Sequence, residues 1–343
     1  MLPNTILEGE SAIVTTSVIM PTYNKANYLD LTLASFVNQD DQDFEIIVVD
    51  DGSTDNTKDV VRKYERTINL KYLTHTNRGR AYARNTALQH AAGRYILFND
   101  DDRIASPCFV SMHKNELEKG GEKRVVIGWK HNILTVYHPS IKLRQRELVC
   151  LFRKSPHLGE IFEQPEERRL IQRDCILGHH WDVMEPYIVT DGYDNFPRVV
   201  DTYGEQLSGF HFKWILGTTA NLSLHQSLLS EVGMFDTRFK GWGMEDTDLS
   251  YRFWGSGADL QISKECVNYH QYHPREQSKV SSIRNAVEFC KKYQNLECYL
   301  FLRCWNLSKI HFEEANRLYE FAMDNATVKD ELCELYRSIL EDL

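Results

Sequence analysis

Four short apolar runs alternate with helical patterns across the first hundred residues, and this alternation confines the chain to an α/β fold built on a mostly parallel sheet. Ser17-Val18-Ile19-Met20 is the first run, halted by Pro21, and Phe44-Glu45-Ile46-Ile47-Val48-Val49 is the second. Leu70-Lys71-Tyr72-Leu73 gives a third strand and Tyr95-Ile96-Leu97-Phe98 a fourth. Between them Tyr28, Leu31 and Phe36/Val37, then Val60, Val61 and Tyr64, then Ala83, Ala87, Leu88 and Ala91 recur at helical spacing. Ser, Thr and Asp residues cap the second helix, and Gly93 is expected to end the third as a C′ residue. This order places helices on both faces of the sheet and ligands outside the carboxyl ends of the strands.

Three polar loops lie at that edge. Pro21-Thr22-Tyr23-Asn24 follows the first strand, Asp50-Asp51-Gly52-Ser53-Thr54-Asp55 the second, and Asp100-Asp101-Asp102 the fourth. Three acids where a strand leaves a sheet repel one another unless a divalent cation or a positive ligand group sits among them. Carboxylate-x-carboxylate spacing suits a hard cation that keeps several waters and also holds a diphosphate; a plain acidic turn is the alternative. An acid in the second loop can accept from a nucleobase N–H or a ribose hydroxyl, or simply cap a turn. An EF-hand is excluded, because glycine is third rather than sixth from Asp50 and Val61 stands where the bidentate glutamate belongs. Neither a Walker A lysine motif nor GxGxxG follows the first strand. Phosphates would therefore fall to a metal and to arginine. Arg78, Arg80 and Arg84, at the start of the third helix, could pair with phosphate or with the acids of the neighbouring loops.

With 343 residues, 42% hydrophobic and 26% charged, the chain has room for one large domain plus an extension. A net charge of −9 argues against nucleic acid as a partner, since counterion release needs a basic face. Met1 to Ser11 lack a basic segment followed by an apolar one, and no run of 18 apolar residues occurs, so a cytoplasmic protein is expected, at most peripheral to a membrane. The eight cysteines form no CxxC pair, and most read as small buried hydrophobes. The sequons at Asn221, Asn306 and Asn325 carry no weight in such a chain.

In the second half, residues 217–223 read as a strand, 227–232 as a helix, and Leu249 to Trp254 as another helix. Between the last two lies Gly241-Trp242-Gly243-Met244-Glu245-Asp246-Thr247-Asp248, where glycines let backbone approach a ligand and Trp242 offers a flat face to a sugar ring. Capping acids beside a buried Trp are the plain alternative. In Cys266 to Pro274, His270 and His273 are candidate metal ligands, whereas His179-His180 reads as structural. Residues 130–214 are rich in rings and prolines and suit a lid, an acceptor pocket or an extra helical subdomain. After Pro274, three apolar faces, Ile283/Ala286/Val287/Cys290, Phe312/Ala315/Tyr319/Ala322 and Leu332/Leu335/Tyr336/Ile339, predict helices that pack on the main domain or build a homodimer.

The ordered segments Val18 to Asn24, Val48 to Asp55, Ala83-Arg84-Asn85 and Phe98 to Asp102 resemble the signatures of family 2 glycosyltransferases with the GT-A fold. That resemblance implies a Rossmann-like sheet flanked by helices, divided into a nucleotide-sugar half (1–117), an acceptor half (118–275, with the insertion 130–214) and a helical extension (276–343). It also implies that Pro21, Tyr23, Asp51, Arg84, Asp100 and Asp101 hold a UDP-sugar, with Tyr23 and Asp51 at the uracil. Asp102, the main ligand, and Asp100 would bind Mn²⁺ or Mg²⁺ in a DxD motif, with His270 or His273 joining them. The chain departs from the family at Asn99 and Arg103, one of which is often an acid. The segment from Gly241 to Asp246 resembles the acceptor-side motif of β-1,4-galactosyltransferases and bacterial chondroitin-type polymerases. By that likeness Asp246 is the catalytic base, Glu245 assists as an acceptor ligand, and Trp242 and Gly243 complete the acceptor site.

These readings predict a metal-dependent inverting enzyme that moves a hexose or N-acetylhexosamine from a UDP-sugar to a hydroxyl of a glycan or other acceptor. A nucleotidyltransferase would need a glycine-rich basic loop after the first strand, and a non-catalytic binding module would have lost the metal acids or the base.

Overall fold

The computed structural model describes residues 14–190, 196–274, 279–304 and 310–341; Met1 to Ser11 and Asn306 lie outside them. The expected alternation is present as β1 (Thr16–Thr22), α1 (Ala26–Val37), β2 (Phe44–Asp50), α2 (Thr57–Arg62), β3 (Leu70–Thr74), α3 (Arg80–Gln89) and β4 (Tyr95–Asn99). Next come β5 (Arg103–Ala105), α4 (Phe109–Gly120) and β6 (Arg124–Ile133). The inserted stretch holds β7 (Val136–Tyr137), α5 (Gln145–Lys154), α6 (Leu158–Phe162), β8 (Arg168–Arg169), α7 (Arg173–Leu177), β9 (Ile188–Thr190) and α8 (Phe196–Tyr203). The chain returns through β10 (Asn221–His225), α9 (Gln226–Val232), α10 (Glu245–Gly255) and β11 (Asp259–Gln271), and ends in α11 (Lys279–Tyr293), α12 (Leu296–Leu302), α13 (Phe312–Met323) and α14 (Ala326–Glu341).

Among the described residues nine strands form one sheet, in the order β3-β2-β1-β4-β10-β6-β11-β5 with β9 on β6. Strands β1 to β4, β6 and β11 run one way, and β5, β9 and β10 run against them. Every residue of β2 is buried. Its side chains alternate between two cores: Ile47 and Val49 lie in one, Ile46 and Val48 in the other. Full burial of such a side chain contributes about 1.5–3 kcal/mol.

Register decides where the loops emerge. Thr22 pairs with Asp50 and Asn221 with Asn99, so the ends of β1, β2 and β4 and the start of β10 share one edge. His270 of β11 pairs with Arg103 of β5, which sets the histidine beside the acidic run.

Several local expectations are corrected. Pro21 does not halt β1, because β1 pairs with β4 only to Ile19 and the missing N–H at Pro21 faces that open side. Gly93 is not a helix cap: α3 ends at Gln89, and the Gly93 N–H donates to Ser17 Oγ at 2.8 Å where a Cβ would lie 2.5 Å from the Ser17 nitrogen. Close approach to β1 requires glycine there. The strand expected over 217–223 begins only at Asn221. Cys266, Cys290 and Cys298 are buried, but the other five cysteines are only half-buried. The helical tail packs onto the main core through Ala286, Phe289, Tyr299 and Tyr336, whereas Ile283 and Leu335 face outward. The buried stripe of α11 includes Ser282 and Asn285, and Asn285 donates to the Gly243 carbonyl of the main domain.

Candidate active site

The loops after β1 and β2 interlock. Asn24 accepts from the Thr54 N–H at 2.7 Å, and Asp55 accepts from the Ala26 N–H at 3.0 Å, satisfying one exposed donor of the α1 N-terminus. Pro21 is half-buried, and Tyr23 stands 47% exposed at the mouth. Asp51 is buried, with its two carboxylate oxygens accepting from the backbone N–H groups of Arg78 at 2.7 Å and Gly79 at 2.9 Å, and His75 lies 3.3 Å away. This places Asp51 as the pin between the β2 loop and the start of α3. Arg78 itself stacks over the Tyr82 ring.

The three acids after β4 have separate surroundings. Asn99, fully buried, donates to the carbonyls of Asp100 and Arg103 and closes the turn that carries them. Asp100 accepts from Arg84 Nη2 at 2.8 Å. Burial, with Asp102 beside it, pushes the Asp101 carboxyl up to about 7. Burial also works to raise Asp102, but His270, His273 and Lys25 outweigh it and hold that carboxyl well below the usual carboxylate range.

Asp102, His270 and His273 offer ligand atoms within 4.8 Å of one another. His273 Nε2 lies 3.0 Å and His270 Nε2 3.7 Å from Asp102 Oδ2, so both histidines reach the acid. The Gln271 N–H donates to the Asp102 carbonyl at 2.9 Å, fixing the β11 end against the acidic turn, and His270 Nδ1 meets Asn132 Oδ1 at 3.1 Å. One carboxylate and two imidazoles, with an outer partner orienting one ring, fit a divalent cation, and the nitrogen content suits Mn²⁺ better than Mg²⁺. Asp100 turns to Arg84 rather than into this group. His179 and His180 are exposed and, among the described residues, join no such cluster.

Arg84 links the two halves of the site. Its guanidinium is buried and lies 2.8 Å from Asp100, 3.2 Å from Glu245 and 3.5 Å from Asp246. Burial disfavours its charge, but Asp246, Asp100 and Glu245 together keep it firmly protonated. Glu245 and Asp246 open α10, so their carboxylates sit at the positive end of its dipole. Burial, then Asp246, raises the Glu245 carboxyl against the pull of Arg80 and Arg84. Asp246 Oδ1 accepts from Thr219 Oγ1 at 2.6 Å, and that carboxylate remains part-exposed at the sheet edge. Trp242 and Gly243, both half-buried, precede it in a turn of positive φ, 80° at Gly241 and 93° at Gly243. Asp248 faces elsewhere: it is buried on Arg252, Lys292 and Tyr293.

The contacts made by several residues of this site escape a sequence reading. Thr219 orients Asp246, and the amide of Asn85 exchanges two 2.9 Å hydrogen bonds with the backbone of Phe235, tying α3 to the approach of the Trp242 turn. Lys25 lies 2.9 Å from His273 Nε2, and its place directly after Pro21-Thr22-Tyr23-Asn24 was the available signal. Lys130 is buried and donates to Thr218 Oγ1 at 2.8 Å; burial and Arg103 drive its ammonium well below the usual lysine range.

Comparison with known proteins shows the family. Residues 17–175 match the profile of "Glycosyl transferase family 2". The glycosyltransferase YfnE of Bacillus subtilis (strain 168) is 32% identical over 285 residues, 82% of this chain and 71% of its own. Validoxylamine A glucosyltransferase of Streptomyces hygroscopicus subsp. jinggangensis (strain 5008) is 30% identical over 88% of this chain and 66% of its own length. The structure of S. aureus TarS 1-349 in complex with UDP-GlcNAc superposes with a TM-score of 0.50 at 19% identity, covering 88% of this chain and 69% of that one, a likeness of fold. The chain thus belongs to glycosyl transferase family 2 and is a glycosyltransferase with a GT-A fold.

Proposed function

We propose that the enzyme transfers a hexose or N-acetylhexosamine from a UDP-sugar to an acceptor hydroxyl, with inversion, and that Mn²⁺ or Mg²⁺ assists. The observation that carries this reading is Arg84, which bridges Asp100, two residues from the metal-ligand candidate Asp102, to Asp246 at the acceptor side. A UDP-sugar as donor is supported by the UDP-GlcNAc complex of TarS. One relative is named for glucose and the TarS complex holds UDP-GlcNAc, so the reading stops at that class.

Asp102, His270 and His273 would hold the cation, which when bound supplies positive charge to a leaving diphosphate. Tyr23 and the loop pinned by Asp51 receive the base of the nucleotide. Asp246, aimed by Thr219, takes the proton of the acceptor hydroxyl while the hydroxyl oxygen bonds the anomeric carbon; the bond from that carbon to the diphosphate breaks and UDP departs. One base on the acceptor side, with no nucleophile assigned on the donor side, supports a single in-line displacement.

The test is calorimetric. UDP should raise the melting temperature in Mn²⁺; a chelator should remove most of that shift, and Asp102→Ala should lack it even with Mn²⁺ present. An undiminished UDP shift in both experiments overturns the metal assignment.

A further inference from the structure

The turn before α10 turns several of its carbonyl groups to one side. Gly241, Gly243 and Met244 have φ of 80°, 93° and 78°, and the carbonyls of Lys240, Trp242 and Gly243 converge on the side-chain nitrogen of Asn285 in α11, at 3.0, 3.3 and 2.9 Å. Three acceptors around one amide nitrogen with two hydrogens require that one N–H be shared, and only the NH₂ end of the amide can satisfy them. Asn285 is 2% exposed, so water offers no substitute.

Neighbouring residues of α11 grip the same turn. The Trp242 N–H donates to Ser281 Oγ at 3.3 Å, and Arg284 Nη2 donates to the Lys240 carbonyl at 2.9 Å. A Cβ on Gly241 would come 3.0 Å from the Ser281 Cβ and would sit on a backbone of φ 80°, so a side chain there would crowd this helix and strain the turn. Farther along, the Lys292 ammonium reaches Asp236 at 2.9 Å and Asp248 at 2.5 Å, holding both flanks of the turn.

We infer that α11 is the back wall of the acceptor site and that Asn285 is its positioning residue, fixing Trp242 and the first turn of α10 so that Glu245 and Asp246 face the acceptor. The family match ends at residue 175, so this support comes from outside the matched region. The inference rests on the reading of the Trp242-to-Asp246 turn as the acceptor side. Asn285 touches no substrate; it acts through the carbonyls it gathers. Met244, a non-glycine residue at positive φ, is the strained point that such a clasp must hold.

Asn285→Asp tests it, because it keeps the shape and sets a carboxylate against three carbonyl oxygens. Peptide hydrogen exchange across 240–247 should speed up, while exchange in 50–55 and 99–103 and the UDP thermal shift in Mn²⁺ stay at wild-type values. With p-nitrophenyl glycosides of glucose, galactose, GlcNAc and GalNAc as acceptors, transfer should fall of the order of 10–100-fold, through a higher acceptor KM and a lower kcat, with donor KM unchanged. Ser281→Ala, which removes one bond, should give the same pattern at smaller amplitude and decides the matter if Asn285→Asp does not fold. Unchanged exchange over 240–247 in a folded variant overturns the inference, as does a donor KM that rises with the acceptor KM. If Asp246→Asn transfers normally while exchange responds as expected, the reading of the turn fails and not the clasp.

Discussion

Three adjacent carboxylates are tolerable at the end of β4 because each meets a different answer to its charge. Asp100 is paired with Arg84, Asp101 is buried and holds its proton to about pH 7, and Asp102 is drawn down by two histidines and Lys25. The sequence showed the run but not this division, since Arg84, His270 and His273 lie up to 171 positions away. Either histidine alone could be proposed from sequence; that both reach Asp102 follows from the pairing of β5 with β11. Asp51 supplies a contrasting case. Its carboxylate holds the amides of Arg78 and Gly79, so Asp51→Ala should loosen the nucleotide loop with or without metal. We expect the UDP affinity of Asp51→Ala to fall by the same factor in Mn²⁺ and in chelator, as titration calorimetry measures it; a loss seen only with Mn²⁺ would place Asp51 among the metal's partners instead.

At the level of single elements, local pattern worked wherever the element is periodic and failed wherever a distant partner sets its limits. β2 and α1 were legible from apolar spacing because their partners are other apolar faces. The α10 start at Glu245 was not, because Met244 at positive φ and the backbone clasp of Asn285 define it, and neither leaves a sequence signature. α4 carries another long-range contact. His113 lies fully buried between Ser223 Oγ at 2.7 Å and Asn221 Oδ1 at 2.8 Å on β10, and burial lowers its pKa from 6.5 to about 3. The unfolded chain takes up that proton below pH 6.5, whereas the native state resists it down to about 3. Stability should therefore be complete above about pH 6.5 and fall by about 1.4 kcal/mol per pH unit below it from this group. Denaturant titrations at pH 7 and pH 5 measure the slope. His113→Gln should flatten it, and an unchanged slope in that variant would assign the acid sensitivity to other groups.

Over the whole molecule, one core joins the inserted stretch, the acceptor side and the helical tail. Trp214 is fully buried, with its ring centroid 4.9 Å from that of Tyr251 on α10, 5.6 Å from Phe289 on α11 and 5.2 Å from Phe301 on α12. The tail could be predicted as helical, but its role as part of this core could not, because amphipathic faces do not name their partner. Phe289→Ala should cost about 3–5 kcal/mol and lower the stability of the acceptor side together with the tail. Tryptophan fluorescence and far-ultraviolet circular dichroism should then report one shared transition; two separated transitions would show a tail that folds by itself. Among the described residues no helix is long and apolar enough to cross a membrane. Arg84 sets an acid near residue 100 and one near residue 246 around one guanidinium, as the proposed reaction requires. The measurement closest to that claim compares Asp246→Asn with the parent enzyme for sugar transfer and, in parallel, for UDP and Mn²⁺ affinity. Loss of the basic carboxylate should lower transfer by roughly 10²–10⁴-fold with both affinities nearly unchanged. Near wild-type transfer would contradict the account and move the role of base to Glu245.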